Sequence, residues 1–282
     1  MPPPHRSQLR SDVPFLTSSI LASAGFRHAF SLRAGGVSEP PFTQLNLGRS
    51  VGDQVSAVAE NHRRFAEAVG YRSGELYELS QVHGAVVCAP GPGEDPAEYR
   101  SREGDALLAV HSGQVVGVRT ADCLAILIGD PRSGCVAAVH AGWRGVVAGV
   151  VPAAVAGLRA SSRIADGGDG GPQVPAGRFL AAIMPHIRVC CFEVGIEVAS
   201  ALRSAAPDVD AVAAPHTPGK TRVDLAALVR AQLRGAGVSP ERIDDVPGCT
   251  ACEPERFFSF RRDRDRSGRH LAIIAAGSTE HV

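Results

Sequence analysis

The chain has 282 residues, enough for one large domain or two small ones with a sizeable core. Hydrophobic residues make up 44%, charged residues 21%, and 29 basic side chains balance 29 acidic ones, so no global charge points to nucleic acid or an anionic membrane. The apolar runs, such as LAILIG from Leu124 and VVAGVVPAAVAGL from Val146, are too short or too broken by Gly and Pro to span a bilayer.

In chain order, the polar, proline-rich start reads as a mobile tail over residues 1–12. The short, serine-rich apolar stretch behind it makes a poor secretory signal. Asp53 is placed to cap a helix with Val55, Val58, Phe65 and Val69 on one side, stopped by Gly70. Strands are expected at Val82–Cys88, Val115–Arg119, Leu124–Ile128 and Val136–His140. A helix follows from Trp143 to about Leu158, with Pro152 as an internal difficulty. SSRIADGGDGGPQVPAG, residues 161–177, has too little apolar content to pack and reads as a surface loop. A strand at Phe179–Ile183 and a helix after Gly195 come next. Asp224 can cap a helix with Leu225, Leu228, Val229 and Leu233 inward and Gly235 at its end; Leu271–Ala275 is the last strand. There is no repeat and no clear linker, so residues 13–282 read as one α+β domain with mixed sheets.

Seven cysteines, an odd number in a long chain, read as free thiols in a reducing cytoplasm. Cys249 and Cys252 form a lone C-x-x-C with no second pair of metal spacing and read as structural; adjacent Cys190 and Cys191 read as core or pocket wall, not as metal ligands.

TADCLAILIGDPRSGCVAAVHAGWRG, from Thr120, is the most informative segment. Asp-Pro-Arg-Ser is turn chemistry between two apolar runs. With those four residues as the loop, Gly129 pairs with Gly134 and Cys123 lies opposite His140, close enough to share a metal ion or a thiolate–imidazole hydrogen bond. Behind His140, Ala-Gly-Trp-Arg-Gly leads from strand to helix, whose first N–H groups can hold a phosphate or carboxylate. Gly142 and Gly145 let a ligand approach, and Arg144 either joins that anion or pairs with a nearby acid. Gln81 and His83, two apart, share a strand face. Asn46 in LNLG is either a plain turn residue or a substrate contact.

Taken in order, FSLRAGGVS from Phe30, LNLG from Leu45, SQVHG from Ser80, TADC from Thr120, HAGWRG from His140, CCFEVG from Cys190 and FFSFRRDRDRSGR from Phe257 carry a specific resemblance. They are similar to the YfiH-type family of laccase-domain purine nucleoside phosphorylases, also known as polyphenol oxidase or peptidoglycan editing factor. The resemblance implies mixed β-sheets flanked by helices in a layered α/β/β/α sandwich, related to cysteine-hydrolase-type toxin domains. It implies a zinc site of His83, Cys123 and His140; spacing alone does not choose His83 among ten histidines. It departs from the family pattern at Ala125, where a proline is usual, at His62, and in the lengths of the Gly-rich loop and the FFS segment.

The activity so implied is phosphorolysis of adenosine, inosine, guanosine or S-methyl-5′-thioadenosine, with adenosine deamination beside it. Arg33, Arg144 and Arg261 are the candidate phosphate cations, and Asn46, Gln81 and Asp122 the further substrate contacts. The partners are a purine nucleoside and phosphate, with no nucleic acid or membrane, for a cytoplasmic monomer. The alternative is a metal-free Cys123–His140 amidase or hydrolase acting on peptidoglycan precursors. A copper oxidase needs many H-x-H pairs or an axial methionine, and the chain has no H-x-H pair and only Met1 and Met184.

Overall fold

A computed structural model describes residues 13–165, 174–206, 208–211 and 218–277; the tail over residues 1–12 and residues 166–173 of the Gly-rich segment lie outside the described residues. The elements run β1 (Phe15–Leu16), α1 (Ser19–Ser23), β2 (His28–Ser31), α2 (Val55–Val69), β3 (Leu76–Tyr77), β4 (Val87–Cys88), α3 (Pro96–Tyr99) and β5 (Ala106–Ala109). β6 (Val115–Thr120), β7 (Leu124–Gly129), β8 (Val136–Ala141), α4 (Trp143–Ala148), α5 (Val150–Ala165), β9 (Leu180–Ile183) and β10 (Glu193–Gly195) follow. α6 (Ile196–Ala205), β11 (Lys220–Arg222), α7 (Leu225–Gly235), β12 (Ile243–Asp245), α8 (Phe260–Asp263) and β13 (His270–Ala275) complete the chain.

The strands form a five-stranded sheet, β1-β2-β13-β6-β3, a six-stranded sheet, β12-β9-β7-β8-β5-β4, and a small β10-β11 ladder. Both large sheets are mixed. Every residue of β7, β8 and β13 is buried, so these strands read as unbroken apolar runs and not as alternation. Alternate side chains still part to two faces. Leu107, Leu127 and Ala138 meet Val116, Val118, Ala272 and Ile274 of the other sheet. Leu108, Ile126 and Val139 face Val151 and Leu158 of α5 and Leu228 and Leu233 of α7. Beyond the five-stranded sheet, Leu271 and Ile273 pack on Phe65 of α2 with Leu45 and Leu47. The order is helix, sheet, sheet, helix, as the resemblance implied.

Local chemistry explains most elements. Asp224 caps α7, accepting from Ala227 N at 2.9 Å, and Gly70 ends α2 at φ +87°. The cap of α2 differs from expectation. Gln54 stands there without a side-chain bond, Val55 is 83% exposed, and the Asp53 carboxylate binds Ser38 Oγ, Asn46 Nδ2 and Gln54 N instead. The helix expected from Trp143 is two helices, parted at Gly149 with φ +81°. Pro152 is the third residue of α5, where an N–H would have no partner inside the helix. Ser161–Ala165 are the last turn of α5. Among the described residues no helix is long and apolar enough to cross a membrane.

Candidate active site

β8 delivers His140, 3% exposed, to the open end of the β7–β8 hairpin. The register differs from expectation: Gly129 opposes Val136, and Ala125, not Cys123, opposes His140. The loop is Pro131–Gly134, one residue later than the turn chemistry suggested. Asp130 stays in the ladder end, donating N–H to Cys135 O at 2.9 Å while its carboxylate accepts from Ser133 Oγ, and Gly134 takes φ +71°. The slip of two residues keeps His140 on the same face but leaves Cys123 beyond the strand, in the loop before β7. Asp122, at φ +96°, bends that loop back to the histidine.

The expected Val82–Cys88 strand is also shorter, and only Val87–Cys88 pair. His83 sits in a turn at φ +62°. A single buried carboxylate makes that turn. Asp105 accepts from His83 N at 3.0 Å, Gly84 N at 2.7 Å and Val82 N at 3.3 Å. The same carboxylate takes the His140 Nδ1 proton at 2.8 Å, and Asp105 O accepts His140 N at 2.7 Å. Two non-glycine residues in the left-handed region, the candidate ligand His83 and Asp122 beside Cys123, are backbone strain held at a site by surrounding bonds.

The donor atoms of His83, Cys123 and His140 all lie within 4.8 Å of one another. Burial pushes the Cys123 thiol up, but the neighbouring His140 and His83 outweigh it and bring it down to about 6. Burial likewise works against the His140 cation, which the thiolate and Asp105 raise to about 9. The donor set therefore presents a thiolate. With Nδ1 of His140 committed to Asp105, its Nε2 is the ring nitrogen left for a ligand, the usual arrangement for a metal-bound histidine. A tetrahedral cation at 2.0–2.3 Å from N and S requires donor edges of about 3.3–3.8 Å, within the spread of these atoms. The residues fit a zinc-type ion with one position open.

Gly142 makes room for the cluster. A Cβ there falls 2.9 Å from His83 Cδ2 and 3.1 Å from Cys123 Sγ. Its φ of −73° suits any residue, so Gly142→Ala disturbs the side chains and not the local backbone. Since a displacement of about 1 Å costs on the order of a hundredfold, Gly142→Ala is expected to lower turnover by roughly that factor with an unchanged circular-dichroism spectrum. Native-like turnover would show that the two side chains need not hold their positions.

The triad lines a cavity of about 360 Å³, with Ser80, Gln81, Arg119, Phe260 and Arg269 around it. Of the other expected contacts, Gln81 lines it, but its amide is spent on Arg119 N and O, both at 2.8 Å. Asn46 is fully buried behind the wall, its Oδ1 holding Gly48 N and Arg269 N, both at 2.9 Å. Asp122 accepts from Thr250 Oγ1 at 2.7 Å and Arg261 N at 2.5 Å, so its carboxylate fixes loops. The arginines fall outside the lining. Arg33 donates to Thr43 O and Pro254 O, and Arg261 to Glu193 O and Cys191 O. Arg144 is exposed, 4.5 Å over the Trp143 ring, which packs on the core beneath.

The cavity cations are two others. Arg119 is paired with the buried Glu78 at 3.2 Å. Arg269 donates to the Ser267 and Gly268 carbonyls and, among the described residues, has no carboxylate partner within 4.0 Å. Sequence had two faint signals for them. Arg119 immediately precedes the TADC motif, and Arg269 closes the FFS segment, where six arginines from Arg256 to Arg269 are indistinguishable by spacing.

Residues 27–277 match the protein family described as multi-copper polyphenol oxidoreductase laccase. The chain belongs to that family. Within this laccase-domain family it is 38% identical over 250 residues to the purine nucleoside phosphorylase of Deinococcus radiodurans, covering 88% of both chains. It is 39% identical over 241 residues to one from Streptomyces coelicolor, covering 85% of this chain and 91% of that one. Among solved structures, YlmD of Geobacillus stearothermophilus superposes with a TM-score of 0.83 at 30% identity, covering 97% of this chain and 98% of that one. The YfiH protein of Bacillus licheniformis superposes with 0.81 at 26% identity, covering 96% and 98%.

Proposed function

We propose that this laccase-domain protein is a zinc-dependent purine nucleoside phosphorylase. Its substrates are adenosine, inosine, guanosine and S-methyl-5′-thioadenosine, its products the free base and the pentose 1-phosphate. The observation that carries this reading is one cavity holding a metal-type triad, a cation with no carboxylate partner among the described residues and an exposed aromatic ring. Relatives named purine nucleoside phosphorylase, matched over most of their length, support it.

In the reaction a phosphate oxygen attacks the anomeric carbon, the bond to the base nitrogen breaks, and the base leaves with the electron pair. Arg269 is the residue to hold the phosphate, with Arg119 adding field from its ion pair to Glu78. Phe260, 40% exposed at the cavity, offers a stacking face for the purine. His83, Cys123 and His140 would hold the zinc ion, which would supply Lewis acidity to the cavity.

A charge-assisted bond is worth about 1.5–3 kcal/mol. Arg269→Ala is therefore expected to raise KM for phosphate on the order of ten- to a hundredfold, with a smaller change in KM for adenosine. The product assay tests the reading as a whole: adenosine and phosphate should give adenine and ribose 1-phosphate. Inosine alone, formed with or without phosphate, would instead mark a deaminase. A second reading, a cysteine hydrolase acting on a cell-wall precursor, draws on the lowered Cys123 thiol beside His140. It requires full activity after metal removal.

A further inference from the structure

We propose that Cys190, Cys191, Cys249 and Cys252 form a second metal site, a closed tetrathiolate for a zinc-type d10 cation, separate from the triad. Sequence offered only one C-x-x-C, because its partner pair is two adjacent cysteines about sixty residues earlier. The fold brings them together: all four sulfurs lie within 4.8 Å of one another.

The spacing is that of donors around an ion. Cys191 Sγ is 3.2 Å from Cys252 Sγ, and Cys190 Sγ is 3.5 Å from Cys252 Sγ and 3.6 Å from Cys249 Sγ. A disulfide holds its sulfurs at about 2.0 Å. A tetrahedral zinc with bonds of about 2.3 Å sets its sulfurs roughly 3.8 Å apart. The observed contacts lie near the second value.

The backbone is built for thiolates. Cys249 to Glu253 is a tight turn, with Cys252 N and Glu253 N both donating to Cys249 O at 3.2 Å. Arg188 N points at Cys249 Sγ from 3.5 Å. Four thiolates around a divalent ion carry two net negative charges, and three guanidinium groups sit on these loops, Arg188 and Arg262 also paired with Asp245 and Asp263. Arg188 donates to Val246 O and Gly248 O, Arg261 to Cys191 O, and Arg262 to Thr250 O and Ala251 O.

The donor set decides the cation class. Four sulfurs leave no open coordination position, which is the pattern of a structural zinc, whereas the triad has three donors and an open one. The position gives the ion a task. The two loops it would tie both grip Asp122, through Ile187 N to Asp122 O at 3.0 Å and Thr250 Oγ1 to its carboxylate at 2.7 Å. Asp122 carries the left-handed turn that aims Cys123. A tetrathiolate ion here is a knot under the active-site cysteine.

The test is metal stoichiometry in the full chain, purified under reductant, loaded with zinc and freed of excess. Wild type is expected to hold two zinc ions per chain, and Cys249→Ser/Cys252→Ser one. Cys123→Ala is expected to keep one, and X-ray absorption on that variant should show a shell of sulfur alone. This second variant leaves the four-cysteine cluster intact, so the result stands even if the double variant does not fold. Zinc-free Cys123→Ala, a nitrogen-containing shell, or a wild-type mass lowered by the hydrogens lost to disulfides among these cysteines would overturn the proposal.

Discussion

Cys123→Ala is expected to abolish phosphorolysis of adenosine, lowering turnover at least about a thousandfold, and to remove the triad's metal. The reasoning begins with charge. Cys123 is the triad's anionic donor, held down to about 6 against burial by His140 and His83. Without it, two neutral imidazoles would have to hold a dication, and if the proposed metal stabilises the transition state by several kcal/mol, its loss costs roughly tenfold per 1.4 kcal/mol. The fold should persist, because Cys123 lies in a loop before β7 and outside the ladder. Assay and metal analysis belong together. Loss of activity with the wild-type number of metal ions per chain retained would move the role of Cys123 from ligand to nucleophile, and activity within tenfold of native would remove it from the site.

How much of this centre was legible in sequence depends on how local each cause is. The Cys123–His140 ladder pairing read from turn chemistry was wrong by two residues: His140 keeps its face, but Cys123 lies outside the ladder and is brought back to the histidine by the Asp122 turn. The caps and stripe of α7 were legible, because Asp224 and Leu225–Leu233 are contiguous. His83 was not legible without the family motif. Its turn is made by Asp105, more than twenty residues later, and no strand alternation exists there to place it. The cavity cation was misplaced for a related reason. The Gly142–Arg144 turn looked like an anion cradle, but Arg144 stacks outward on Trp143, and Arg269 is brought in by Asn46, 223 residues away. The four cysteines stayed unconnected because the ladder order of the six-stranded sheet, not spacing, joins their loops.

Asp105 is the positioning residue on which the site's geometry depends, and its replacements should separate folding from metal binding. Asp105→Ala leaves the N–H groups of Val82, His83 and Gly84 and the Nδ1 proton of His140 without their acceptor. Breaking a buried, hydrogen-bonded pair costs about 3–5 kcal/mol, so a marked fall in thermal midpoint is expected for the metal-free protein. Metal affinity should fall too, by on the order of ten- to a hundredfold, the usual effect of removing a carboxylate behind a ligating histidine. Asp105→Asn divides the two effects. Its carbonyl oxygen can still accept from Val82 N and Gly84 N, which bond Oδ2, while the amide takes the Oδ1 place and loses the bond from His83 N, so part of the stability is kept. Its amide then faces His140 Nδ1 as a donor, which moves the imidazole proton to Nε2, the nitrogen that must be bare to bind metal. Asp105→Asn is therefore expected to unfold at a clearly higher temperature than Asp105→Ala while losing as much triad zinc affinity. The measurement is zinc competition against a chelator, read beside the melting curve. Affinity in Asp105→Asn within about threefold of native would mean that His140 does not need this carboxylate to fix its tautomer, whatever happens to stability.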